Sequence, residues 1–160
     1  MKLLPTVLVE TTVLSYLVAR RSKNEVYAAR QTLTRVWWRK RHAFALFTSS
    51  TVQEECQYGD PREAKKRLAV AGTMVLLPLT DEAKDLAGYL VKRGALPPKA
   101  LTDALHLAIA TVSHIEYVAS WNHKHMVNDD IQLQVYRIFS ELGYTMPKIR
   151  TPDSLLEMTK

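Results

Sequence analysis

Cysteine is almost absent. Cys56 stands alone among 160 residues, which excludes an internal disulfide and suits a reducing compartment. Glycine is also sparse, at five residues, and none forms the G-x-G-x-x-G or Walker pattern that cradles phosphates. Dinucleotide- and nucleotide-fold readings thereby lose their main support. No apolar run approaches the roughly 18 residues of a membrane span, and Pro5 and Glu10 interrupt the first one. No small-residue cleavage site follows it, so the chain is expected to be soluble and cytoplasmic. No G-x-S-x-G elbow is present, and Ser15, Ser50 and Ser120 lack a distinctive setting. His123-x-His125 lacks the thiols or the H-E-x-x-H partner of a zinc site. Acids are scarce between Arg20 and Arg41, where eight cations meet only Glu25, in a chain of net charge +6. Localised positive charge attracts polyanions, although a solvated helix face explains it as simply.

What is there is ordinary globular material. Hydrophobic residues make up 47% and charged residues 24%, and no repeat or linker divides the chain. One domain over 1–160 is expected. Strand-like runs at 6–10, 44–49, 74–79 and 115–120 alternate with helical patterns at 12–19, 24–42, 97–114 and 129–142. Ser50 or Thr51 is a candidate cap for a helix to Tyr58, "PREAKKRLAVAG" for a helix ending on Gly72, and Thr80 or Asp81 for one to about Arg93. "PKIRT" offers an edge strand before a short terminal helix. This alternation predicts an α/β fold, a three-layer α/β/α sandwich around a mostly parallel sheet. Ligands of such folds bind at the carboxyl ends of strands, where Glu10 and "SWN" (120–122) fall.

Several polar residues sit where packing does not ask for them. Asp103 lies among Leu101, Ala104, Leu105, Leu107 and Ala108. It is either a helix-start acid or, if the helix begins at Pro97-Pro98, a second-turn carboxylate that burial would penalise. Glu54 fits an exposed capping box with Ser50 or Thr51, which leaves Glu55 unexplained. Cys56 beside it reads as a small buried hydrophobe. His106 follows Asp103 by three residues on the same helical face. A single D-x-x-H pair is a weak metal signal, so His106 is expected to be a hydrogen-bonded group behind the site. Carboxylates gathered in one crevice repel one another unless cations sit among them. Hard divalent ions neutralise such sets and promote phosphodiester hydrolysis.

In four ordered segments the chain resembles the PIN-domain ribonucleases, particularly the VapC-type toxins of toxin–antitoxin pairs. "VETTVLSYL" stands where that family usually reads like "LDTNVLSYL". Glu55 precedes Gly59 by four positions in "EECQYG". "TDALHLAIA" is similar to "NDALIAA", and "SWN" to the family's T-x-D or T-x-N. The resemblance implies a PIN-like fold and a metal-dependent endoribonuclease. Glu10, Glu55 and Asp103 would hold Mg²⁺ or Mn²⁺, and Asn122 would be a neutral ligand or hydrogen-bond a metal-bound water. Thr12, Ser120 and His106 would orient these four, with Thr11 and Thr12 capping the following helix. Glu10 is a glutamate where the family has aspartate, and Asn122 is neutral. Both departures also fit a catalytically weakened RNA- or protein-binding module. The resemblance further implies an RNA substrate, an antitoxin protein and a homodimer, with no membrane partner. In the basic helix Trp37 falls on the apolar stripe. Arg35, Trp38, Arg39 and Arg41 are the candidates for an RNA or partner surface.

Overall fold

A computed structural model describes residues 3–160. Five strands form its sheet: β1 (Thr6–Val9), β2 (Ala45–Ser49), β3 (Val75–Leu77), β4 (Tyr117–Ala119) and β5 (Lys148–Arg150). They lie in the order β3-β2-β1-β4-β5, and every pair is parallel. The helices are α1 (Thr11–Val18), α2 (Glu25–Arg39), α3 (Ser50–Cys56), α4 (Pro61–Ala71), α5 (Asp81–Lys92), α6 (Leu101–Val112), α7 (Asp129–Glu141) and α8 (Pro152–Glu157). The "PKIRT" strand takes the edge beside β4.

The strand period of two sorts the core onto two faces. Leu8, Val118 and Ile149 pack with α5, α6 and α7. Val7, Val9 and Ala119 pack with the helices on the other side, around the fully buried Trp37. The result is a three-layer α/β/α sandwich. The central strands β1 and β4 are buried on both faces, as parallel sheets require, while the edge strand β3 exposes Val75 and Leu76. The chain leaves β1 towards β2 on one side and later returns to β4 on the other. The strand order therefore switches at β1, and a crevice opens at its carboxyl end.

Several element boundaries differ from expectation, each for a local reason. β3 stops at Leu77 because Pro78 has no N–H to continue the ladder. The basic helix ends at Arg39 and tightens into a 3₁₀ turn over Arg41–Ala43. Ser49, not Ser50 or Thr51, caps α3 by accepting from Val52 N–H. Pro98–Ala100 form a 3₁₀ turn, so α6 begins at Leu101 and Asp103 lies in its first turn rather than the second. Gly72 ends α4 with φ −63°, whereas Gly94 and Gly143 take the left-handed conformation at φ +82°. Among the described residues no helix is long and apolar enough to cross a membrane.

Candidate active site

Glu10 is the residue on which β1 becomes α1. It is itself the helix cap, accepting from Thr12 N–H at 3.2 Å, so the capping expected of Thr11 and Thr12 falls to the acid. A carboxylate suits that place because helix N-termini carry partial positive charge. The two threonines are spent differently. Thr12 Oγ1 donates to Glu10 Oε2 and accepts from Trp121 N–H at 2.9 Å. Thr11 Oγ1 donates to Glu55 Oε1 at 2.6 Å. Ser120 Oγ, just past β4, adds a third donor to Glu10 Oε2 at 2.9 Å. All of the Glu10 carboxylate's hydrogen bonds among the described residues fall on that one oxygen, which leaves Oε1 without one.

Glu55 arrives from α3 on one face of the sheet and Asp103 from α6 on the other. Glu54 is exposed, whereas Glu55 lines the same cleft as Glu10, Asp103 and Asn122. Its Oε1 meets His106 Nε2 at 2.6 Å, and His106 is wholly buried. His106 Nδ1 has no hydrogen-bond partner among the described residues. Asp103 accepts from Asn122 Nδ2 at 3.2 Å and meets His125 Nδ1 at 3.0 Å. The Oδ1 of Asn122 is already taken by the N–H groups of Lys124 and His125. Asn122 as it stands therefore holds Asp103 and the loop after β4, and its carbonyl is not free to serve as a ligand.

Charge in the cleft follows from these contacts. Burial pushes the Glu10 carboxyl above its usual range, and the charge of His106 and the Thr12 and Ser120 hydrogen bonds only partly oppose it. Burial also acts to raise Glu55. The hydrogen bond and charge of His106, with Thr11, outweigh it and hold Glu55 low. His106 is drawn up in turn: burial disfavours its charge, but Glu55, Glu10 and Asp103 favour it more. Among the described residues no lysine or arginine pairs with the three acids.

A donor set of this kind fits a divalent cation. Oxygen atoms of Glu10 and Asp103 and a ring nitrogen of His106 lie within 4.8 Å of one another. The His106 nitrogen at Nε2 is engaged with Glu55, so the geometry favours orientation of Glu55 as its task. That set of Glu10, Asp103 and His106 does not include Glu55, which lines the same cleft and has its Oε1 engaged by Thr11 and His106.

Sequence reasoning passed over His125, Thr11 and Trp121. His125 looked like half of a weak zinc motif, and only the loop after β4 turns it onto Asp103. The basic helix is divided by its placement. Arg35 donates to the carbonyl oxygen of Ala19 at 2.8 Å, so it holds the end of α1. Trp38 and Arg41 lie with Leu46 and Val75 in a recess at the amino ends of β2 and β3, the opposite end of the sheet from the acids. The Arg41 guanidinium covers the Trp38 ring at 4.7 Å. Arg39 is exposed. None of these four lines the acidic cleft.

No family model matches the chain, and no curated protein matches it. Among solved structures it is similar to Mycobacterium tuberculosis VapC20, a sarcin-ricin loop cleaving toxin. The identity is 16% and the TM-score 0.59, over 88% of this chain and 99% of that one. VapBC2 from Rickettsia felis, bound to a DNA fragment from its promoter, aligns at 11% identity and TM-score 0.49, over 91% and 98% of the two chains. The fold of this chain is that of VapC20.

Proposed function

We propose that the crevice is the active site of a metal-dependent endoribonuclease, the toxin of a toxin–antitoxin pair, in one PIN-like domain. One observation carries the reading: Glu10, Glu55 and Asp103 converge from three elements at the strand ends, with no lysine or arginine among them. The fold shared with an RNA-cleaving toxin and the net charge of +6 support it. An RNA substrate, an antitoxin and a homodimer belong to the same proposal.

Glu10, Glu55 and Asp103 would hold Mg²⁺ or Mn²⁺. Such an ion, when bound, supplies Lewis acidity that lowers the pKa of water and offsets charge developing on phosphate oxygens. The chain's own residues prepare the site. Thr12 and Ser120 fix one oxygen of Glu10 and leave the other for the ion. Thr11 and His106 do the same for Glu55. Asn122 and His125 hold Asp103 from both sides. Burial raises the Glu10 carboxyl, and a cation held there would offset the cost of burying its charge. The longer side chain at position 10 still places one oxygen on the α1 cap and leaves the other without a hydrogen bond among the described residues. This favours a working site over the weakened binding module.

Purified protein incubated with total RNA should cleave it in Mn²⁺ or Mg²⁺ and stop with EDTA. Asp103→Asn should abolish cleavage while the fold, read by circular dichroism, stays intact. Cleavage that survives EDTA or this substitution overturns the mechanism.

A further inference from the structure

The cleft does not end at the acids. A volume of about 590 Å³ runs from them along α1, past Ser15 and Tyr16, to the α1–α2 connection at Arg20 and Ser22, with Tyr27 and Gln31 on its far wall. That connection contains no glycine, and side chains of α2 hold it in place. Gln31 is 2% exposed. Its amide accepts from Ser22 N–H at 2.8 Å and donates to the Arg20 carbonyl at 2.7 Å and the Ala19 carbonyl at 3.3 Å. Arg35 grips Ala19 as well. The rim so fixed presents Arg20, Arg21 and Lys23, all exposed and none in an ion pair among the described residues.

Aromatic surface faces this rim. Tyr16 is anchored by its hydroxyl, which accepts from Arg30 at 3.2 Å, and by the edge of Trp121 at 6.1 Å. Tyr27 stands 6.0 Å from Tyr16, tilted by 56°, and is 49% exposed. Fixed rings beside unpaired cations are what an unstacked base and its phosphate require. The acids alone would repel a polyanion, so cations at the other end of the same cleft supply the compensating charge. The Arg30 guanidinium stands over one side of the Tyr16 ring at 5.9 Å, farther than Arg41 over Trp38 at 4.7 Å, and Tyr27 is the more exposed of the two tyrosines.

We propose that this arm of the cleft is a subsite for one unpaired nucleotide adjoining the scissile phosphate, with its base against Tyr16 and Tyr27 and its phosphate on Arg20. The subsite rests on the ribonuclease reading and assigns to it the side chains that would hold the nucleotide. Removing one base–aromatic contact weakens single-strand binding by about 5- to 150-fold.

The test uses Asp103→Asn protein with Mn²⁺ and a short unstructured RNA carrying 2-aminopurine, read by anisotropy and fluorescence quenching. Tyr27→Leu and Arg20→Gln should each lower affinity at least 5-fold, and Tyr27→Leu should abolish quenching while Tyr27→Phe keeps it. In the cleaving parent, both changes should raise KM with kcat held and leave calorimetric Mn²⁺ affinity unaltered. Unchanged affinity and quenching in both variants, with Mn²⁺ binding and cleavage intact, overturns the subsite alone. The subsite is also overturned if Tyr27→Leu shifts only the oligomeric state, which would make this surface a protein interface. A parent that never cleaves RNA, while the variants still lose quenching, sinks the ribonuclease reading and leaves the subsite standing.

Discussion

Glu10 performs two tasks that ordinarily go to different residues. One oxygen caps α1 and accepts from Thr12 and Ser120, and the other is left for a cation. Burial makes its charge unfavourable without that cation. A carboxyl raised above 4.5 in the folded chain contributes stability below its unfolded value, and this is lost as pH rises through the folded value. His106, raised above 6.5, has the same sign. Glu55 has the opposite sign: its contribution is present above 4.5 and disappears as pH falls through its lowered folded value. Metal-free protein should therefore lose stability on the alkaline side, and Mn²⁺ should restore it. Glu10→Gln removes the buried charge. In thermal melts from pH 5 to 9 it should raise Tm at pH 8, by roughly 2–4 °C per kcal/mol relieved, while abolishing the Mn²⁺ effect. Thr12→Val, which strips both hydroxyl contacts, should weaken Mn²⁺ by about 10–100-fold in calorimetry. An unchanged affinity would show that Thr12 does not orient Glu10.

The element that carries most of the unexpected work is α2. Its apolar stripe is ordinary, with Trp37 fully buried. Its polar side chains are not simply solvated. Thr34 accepts from Trp121 Nε1 at 2.8 Å, tying α2 to the loop that bears Asn122. Gln31 and Arg35 replace the backbone partners that the end of α1 and the connection lack. Gln31→Leu leaves the Ser22 N–H and the Arg20 carbonyl without their buried partner, a loss of about 1–3 kcal/mol. Hydrogen exchange at Ser22 should rise while amides of α6 stay protected. A uniform rise throughout the chain would instead mean that Gln31 serves global folding rather than this loop.

For the whole molecule, charge is separated by sheet end and cleft end rather than spread. The acids occupy the strand-end crevice, and the cations of the connection flank it. RNA affinity measured with Asp103→Asn protein should fall as salt rises, with a slope near −0.7 for each phosphate contact on a single strand. Arg20→Gln should reduce that slope by about one such contact. Arg39→Gln, at a residue outside the acidic cleft, should leave it unchanged if the cleft is the binding path.

The sequence by itself determined the layered α/β class, because hydrophobic period and strand–helix alternation are local properties that survive into the fold. It also marked Glu10 and "SWN" as strand-end residues, whereas the choice of Glu55 over Glu54 came with the family resemblance, because Ser49 caps α3 and the expected capping box with Glu54 does not form. Only the tertiary structure decided which of its polar residues meet. Glu55 and His106 are 51 positions apart, and Ser120 and Glu10 are 110 apart, so no local pattern encodes their distance. The same applies to the basic segment from Arg20 to Arg41. Its charges are uniform along the chain, yet Arg35 is spent on a helix end and Arg41 on a tryptophan face, while Arg20 is carried to the cleft. Charge is a property of composition. Where it acts depends on how α1, α2 and the sheet pack, and the hydrogen bonds of buried Gln31 to the α1–α2 connection settle that.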